Sequence, residues 1–333
     1  MQAGVIQINM MIGIQGSGKS TYVQKNLGYC FNADEYRKNF PDEDNEKIFR
    51  RLYKDLDKTV GDIYLNDISY YPIYLDNTNM SIKERKEIFR HVERWKKSFV
   101  GLIFKVTAIV MATPFDLCLE RVKEREKVTG KVIPEEVVYR YRARFNIPIY
   151  EEGFSEIKII NGVTLEEITE VKCDNNKYAT MMYRMINFDQ ENPHHKYTLG
   201  VHMAVCQELV LKNAEKFHNR KCMYVAAIIH DWGKYYTKSY NANGIGIYYN
   251  HGEVGTYELL ADLSLIPQKD FTMEEILRVL AYVNYHMKPF DWNTEKALKK
   301  AYETYGDPLA KDLIEFNKID KEACGTESEQ ITG

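Results

Sequence analysis

The stretch that decides the fold is Gly13-Ile14-Gln15-Gly16-Ser17-Gly18-Lys19-Ser20. An apolar run over residues 5–12 leads into it, and residues 20–26 read as a helix start. The stretch fits the pattern G-x-x-x-x-G-K-[ST]. Its glycines let the backbone wrap a row of phosphates, so that successive N–H groups point inward. Lys19 then reaches the β- and γ-phosphates, Ser20 offers a hydroxyl to Mg²⁺, and the helix N-terminus adds its positive dipole end. Strand, glycine loop and helix in that order open an α/β nucleotide-binding fold. Gly13, Gly16, Ser17, Gly18, Lys19, Ser20 and Thr21 are therefore the expected contacts of ATP or another nucleoside triphosphate with its Mg²⁺. The loop identifies the phosphate donor and leaves the acceptor open.

Outward from the loop, residues 71–75, 99–111 and 157–160 are β-prone runs, and residues 81–98, 114–126 and 135–144 have helical spacing. Ser81 with Glu84 three residues on is a helix N-terminus signature. The alternation predicts a mostly parallel sheet flanked by helices, an α/β P-loop kinase domain over residues 1–165. Strands become scarce beyond it. Helical spacing recurs over 201–217, 221–230, 254–263, 273–286, 294–305 and 307–324, which predicts an all-α domain over residues 180–333.

The whole chain has 333 residues, 44% hydrophobic and 28% charged, an ordinary globular mixture that argues against a disordered or fibrous chain. No apolar run reaches the roughly 18 residues of a membrane span, and the first residues read as a strand and not as a signal peptide. Residues 1–160 carry 26 Lys/Arg against 23 Asp/Glu, and residues 161–333 carry 19 against 25. That asymmetry allows, without requiring, a nucleic-acid groove in the first half. The six cysteines form no CxxC pair. Reduced thiols, a cytoplasmic location and no cysteine-built zinc site are the expectation.

Phosphoryl transfer to a hydroxyl needs a carboxylate to take the acceptor proton. Asp34 follows residues 31–33, which would end a second strand at the ligand-binding edge of the sheet. Arg37, three residues on, shares its helix face and could hold an anionic group. An N-capping Asp beside a solvated Arg fits the same segment. Asp76 ends the 71–75 strand, where a carboxylate can orient Mg²⁺, although Asp is also a common turn residue. Arg121 and Arg125 stand i, i+4 before a loop over 126–133. They suit a lid that neutralises phosphate charge, or a surface pair bridging Glu120 and Glu124.

Seven of the eight histidines fall between His194 and His286. The centre of the pattern is His230-Asp231-Trp232-Gly233-Lys234. Adjacent imidazole and carboxylate can ligate one transition metal, Mn, Fe, Co, Ni, Cu or Zn, if the backbone bends there. A further imidazole could come from His202 and a last carboxylate from Asp320. His194 and His195 could touch phosphate or merely pack, and His218 and His91 suit structural roles.

In combination, residues 1 to about 160 resemble the phage-type 5′-OH polynucleotide kinase domain. The resemblance rests on the phosphate loop, the Asp34–Arg37 pair, Asp76-Asn77-Thr78-Asn79 and Arg121/Arg125, in that order. It implies that Asp34 is the general base, that Arg37 binds the acceptor's 3′-side phosphate, and that Arg125 with Arg121 forms the lid contact. Residues from His194 to Asp320 resemble the HD phosphohydrolase superfamily, with His202, His230, Asp231 and Asp320 at its ligand positions. By that resemblance His251 and His286 are added ligands for a second ion or the substrate phosphate, and Lys234 holds a phosphate oxygen. The two halves together resemble bifunctional HD-domain polynucleotide kinases. This implies an end-healing enzyme acting on single-stranded RNA or DNA ends, with an RNA ligase as functional partner. A nucleoside kinase fused to an HD nucleotidase, a nucleotide-gated sensor and a toxin-like kinase remain alternatives.

Overall fold

The computed structural model describes residues 4–66, 72–193 and 195–325. Tyr71, which opens the expected 71–75 strand, and His194 lie outside the described residues. The chain divides into two compact units, residues 1–138 with 152–168, and residues 139–151 with 169–333. The division is thus not a single cut. Residues 139–151 belong with the second unit, although they precede the last strand of the first.

The first unit is a parallel five-stranded sheet in the order β2-β3-β1-β4-β5. Its strands are β1 (Gly4–Ile12), β2 (Tyr29–Phe31), β3 (Ile73–Leu75), β4 (Leu102–Ala112) and β5 (Glu156–Asn161). The helices that go with them are α1 (Lys19–Lys25), α2 (Ala33–Asn39), α3 (Asn45–Leu65), α4 (Ile82–Ser98) and α5 (Phe115–Thr129). β1 and β4 are central, so their inner halves are buried on both faces and read as continuous apolar runs. β1 ends between β3 and β4, and the loop that follows opens at the carboxyl edge, where ligands bind in such sheets. α4 begins with the expected capping box between Ser81 and Glu84. α5 runs three residues further than its sequence pattern suggests and stops at Gly130, whose φ of 68° supplies the left-handed turn.

α6 (Glu135–Arg142) leads into the second unit, which is mainly helical. Its further helices are α7 (Asn175–Ile186), α8 (Leu199–Lys212), α9 (Arg220–Ala227), α10 (Lys234–Thr237), α11 (His251–Ala261), α12 (Met273–Tyr285) and α13 (Glu295–Ala323). It is not purely α. β6 (Ser239–Tyr240) and β7 (Gly246–Ile247) form a small antiparallel hairpin. One helical reading also changes. α9 ends at Ala227, short of the expected end at residue 230, so His230 and Asp231 stand on the turns that follow it. The two helices expected over 294–305 and 307–324 are present as the two arms of α13, separated by the non-helical Gly306, where φ is 70° and ψ 158°.

Candidate functional sites

The loop between β1 and α1 needs positive φ at Gly16 (80°) and Gly18 (96°), which glycine adopts freely. At Gly16 a side chain would also run into the Cys118 carbonyl of α5. Lys19 is buried, and its ammonium donates to the Gly13 and Ile14 carbonyls, each at 2.8 Å. Burial lowers its pKa to about 8 against the pull of the Asp76 carboxylate. Ser20 Oγ donates to Asp76 Oδ2 at 2.7 Å, and Asn32 Nδ2 donates to the same oxygen at 2.7 Å. Asp76 Oδ1 is buried with no hydrogen-bond partner. A buried carboxylate oxygen so placed beside the Ser20 hydroxyl suits Mg²⁺ and its water shell. Thr21 lies exposed in the first turn of α1.

The residues after β3 hold the edge together. Gly13 N–H donates to the Thr78 carbonyl at 3.1 Å, Ala33 N–H to Asn77 Oδ1 at 3.0 Å, and Asn79 Nδ2 to the Met11 carbonyl at 2.8 Å. The cap of α2 is Asn32, whose side chain accepts from Asp34 N–H at 2.8 Å. That removes the capping explanation for Asp34 and leaves its carboxylate free for other partners. Asp34 Oδ1 meets Arg37 Nη1 at 2.7 Å, and Oδ2 meets Lys131 Nζ at 2.9 Å. Burial would raise the pKa of this carboxyl, but Lys131 and then Arg37 outweigh it and hold it below its ordinary value. Arg37 Nε also donates to Asn45 Oδ1 at 3.1 Å. Sequence reasoning missed Lys131. Its only signal was its place just past Gly130, in the segment read as a lid.

The two α5 arginines separate. Arg121 Nη1 donates to the Gly162 carbonyl at 2.9 Å and to the Gly16 carbonyl at 3.3 Å. Arg121 therefore braces the phosphate loop through its backbone, beside the place where its contact with the nucleotide was expected. Arg125, one turn on, is exposed, and its charge helps to depress the pKa of Lys19, so its field reaches the phosphate site.

In the second unit, α8, the turns after α9, the start of α11, the end of α12 and α13 each deliver part of one cluster. His230, His251 and His286 each direct Nδ1 at the carbonyl three residues earlier, Ala227, Tyr248 and Val283, at 2.7–2.8 Å. His202 Nδ1 faces the Ala323 carbonyl at 3.4 Å. A carbonyl can only accept, so each ring keeps its proton on Nδ1 and turns Nε2 inward, as metal-ligating histidines do. His202 Nε2 lies 3.0 Å from Asp320 Oδ1 and 3.5 Å from Asp231 Oδ2. His230 Nε2 lies 3.4 Å from Asp231 Oδ2 and 3.5 Å from Asp320 Oδ1, with no aligned hydrogen-bond partner. On the other carboxylate oxygen, Asp231 Oδ1 is 3.1 Å from His251 Nε2 and 3.6 Å from His286 Nε2.

Donors about 2.0–2.1 Å from one ion stand about 3.4 Å apart at tetrahedral angles. The spacings here match that edge length. Asp231 stands between two groups, with Oδ2 toward His202 and His230 and Oδ1 toward His251 and His286, so the donor set fits one ion or two. Burial opposes charge on His202 and His230, yet the two carboxylates override it, raising His202 and bringing His230 up to about 10. Asp231 and Asp320 resist the effect of burial and stay far below the usual carboxylate range. The cluster thus demands cations at its centre, as protons or as metal. Lys234 Nζ contributes one, at 2.7 Å from Asp231 Oδ2, and also donates to Gln190 Oε1 at 3.0 Å.

The remaining histidines divide clearly. His195 Nδ1 is 3.6 Å from Cys324 Sγ at the border of the cluster, and burial, then Lys234, lowers its pKa to about 4. His218 Nδ1 pairs with the buried Asp312 at 2.9 Å, and His91 Nδ1 with Asp57 at 2.9 Å. Both read as structural. Cys206, not singled out from sequence, joins the cluster beside His202.

A family model described as an AAA domain matches residues 8–148. Among solved structures, the chain is similar to one in the Pnkp1/Rnl/Hen1 RNA repair complex, at 18% identity and a TM-score of 0.33 over 42% of this chain. It spans 43% of that relative's length. It is also similar to a fungal RNA kinase, at 16% identity and a TM-score of 0.37, over 56% of this chain and 87% of that one. A gluconokinase from Sinorhizobium meliloti follows at 10% identity and a TM-score of 0.26, over 47% of this chain and 83% of that one. No curated protein matches. Fold and loop together define the first unit as a P-loop kinase-like domain. The second is a helical unit with a candidate metal centre. Among the described residues no helix is long and apolar enough to cross a membrane.

Proposed function

We propose that the chain is a nucleic-acid end-healing enzyme with two activities, one in each unit. The first phosphorylates a 5′-hydroxyl end from ATP. The second removes a 2′,3′-cyclic, 2′- or 3′-phosphate from the other end. The observation that carries the kinase reading is Asp34, an ionised and partly exposed carboxylate near the phosphate loop that is not used as a helix cap. In this reading Asp34 takes the proton of the acceptor hydroxyl as its oxygen attacks the γ-phosphorus, and ADP leaves. Lys19 and Arg125 offset the charge that develops on the phosphoryl oxygens, and Ser20 with Asp76 holds Mg²⁺. Arg37 lies beside Asp34 and moves to the acceptor's neighbouring phosphate when substrate displaces the pair.

The second activity rests on the inward-facing imidazole nitrogens and two buried carboxylates. A transition metal there would polarise a phosphate ester and activate water. His202, His230, Asp231 and Asp320 would hold that ion, His251 and His286 would hold a second ion or the phosphate, and Lys234 would bind a phosphate oxygen. The substrates are single-stranded RNA or DNA ends. A ligase that joins a 5′-phosphate to a 3′-hydroxyl is the functional partner.

The kinase half is tested by Asp34→Asn. Removing a general base costs about 10²- to 10⁴-fold in rate. ATP affinity should hold while transfer to a 5′-hydroxyl oligonucleotide collapses, and near-normal turnover would refute the role.

A further inference from the structure

We propose that Cys206 is a ligand of the metal held by His202, His230 and Asp320, so that this centre mixes thiolate, imidazole and carboxylate donors. The proposal rests on the reading of this cluster as a metal centre and adds to it a residue that the histidine-aspartate pattern does not contain.

His202 and Cys206 are one turn apart on α8 and therefore share a face. Both are buried, at 1% and 0% exposure. Cys206 Sγ lies 3.7 Å from His202 Nε2 and 4.0 Å from Asp320 Oδ1. For metal–sulfur and metal–nitrogen distances of about 2.3 and 2.0–2.1 Å, tetrahedral S and N ligands stand about 3.6 Å apart. The thiol is thus already at ligand spacing. Donor atoms of His202, Cys206, His230 and Asp320 all lie within 4.8 Å of one another. An independent sign is His230 Nε2, fully buried, belonging to the same group and left without a hydrogen-bond partner.

Charge points the same way. Asp231, Asp320 and a Cys206 thiolate carry three negative charges. A divalent ion and the Lys234 ammonium, 2.7 Å from Asp231, carry three positive ones. Buried charge is tolerated when it balances in this manner. On binding, the Cys206 proton leaves to solvent and its sulfur electron pair goes to the metal. Such a soft donor favours Zn, Co or Fe over Mn or Mg. Cys324, the other thiol nearby, directs its Sγ to His195 Nδ1 at 3.6 Å and to the Asp320 carbonyl at 3.3 Å, and it groups with His195 and His202 rather than with His230 and the Asp320 carboxylate.

The test is a cobalt titration of the metal-free, full-length chain. The first equivalent of Co²⁺ should raise a thiolate-to-cobalt charge-transfer band in the near ultraviolet. Cys206→Ser should lose the band and bind cobalt at least about tenfold more weakly, since even an outer-shell partner is worth 10- to 100-fold. Cys324→Ser should keep the band. X-ray absorption at the zinc edge of the unmutated chain gives a reading that needs no variant, with one sulfur expected at about 2.3 Å. Cobalt bound without the band, or a band that survives Cys206→Ser, overturns the thiol ligand and leaves the metal centre standing. A chain that retains neither cobalt nor zinc overturns both.

Discussion

Asp34 shows how a single residue's surroundings set its chemistry. Its two oxygens are taken by Arg37 and Lys131, one each, and against the effect of burial these cations hold its pKa below the ordinary carboxylate value. The acid limb of the kinase pH profile should therefore lie below the ordinary carboxylate pKa of about 4. Lys131→Ala removes one cation, so the Asp34 pKa must rise and the acid limb must move to higher pH. Measuring kcat/KM against pH for the two proteins checks this, and coincident acid limbs would show that Lys131 does not tune Asp34. The Asp34–Arg37 pair was legible because it is local, i to i+3 on one helix. Lys131 is 97 residues away in sequence, and no local pattern encodes that contact. The capping ambiguity had the same origin, since Asn32 and Asp34 are both good caps and only the backbone turn decides between them.

At the scale of elements, strand, loop and helix around Lys19 were readable because each step obeys a local rule. α3 was not read, although Ile48, Leu52, Leu56, Val60 and Ile63 are its buried face and Asp44 caps it. The spacing was there, but no chemical motif drew attention to it. The start of α4 was legible through its capping box. Its buried anchor was not. Arg85 of α4 makes a bidentate pair with Glu152 at 2.7 and 2.8 Å, with side-chain exposures of 0% and 3%. Glu152→Ala strands a buried guanidinium, so it should cost about 3–5 kcal/mol. Urea unfolding of the first unit's transition checks this, and a midpoint unchanged from the parent would contradict it. In the phosphate loop, Gly16→Ala meets both a left-handed φ and the Cys118 carbonyl. It should abolish nucleotide binding in a calorimetric titration, and retained binding would show that the loop can reshape.

At the scale of the molecule, the two units make different chemical demands. One holds a lysine with a lowered pKa beside a glycine loop. The other gathers carboxylates and imidazoles that call for cations. The order of motifs pointed to two such clusters, because each lies on turns and helix ends that side-chain type marks. The partition of the chain was less legible. Residues 139–151 side with the second unit through contacts such as Tyr285 Oη to the Ile147 carbonyl at 2.5 Å and Asn284 Nδ2 to the Phe145 carbonyl at 2.9 Å. No change of composition marks that exchange. Asp231 faces both groups of histidines, so Asp231→Ala should empty the cluster of metal while ATP binding persists. Metal content after gel filtration checks this, and an unchanged content would refute the ligand set.

The central claim is that one chain heals both ends of a broken strand. The direct measurement gives the full chain ATP, Mg²⁺, a transition metal and an RNA oligonucleotide with 5′-hydroxyl and 2′,3′-cyclic phosphate ends, and follows both termini by mass. The account predicts gain of a 5′-phosphate, blocked only by Asp34→Asn, and loss of the cyclic phosphate, blocked only by Asp231→Ala. An oligonucleotide unchanged at both ends, with phosphate transferred instead to a free nucleoside, would contradict it.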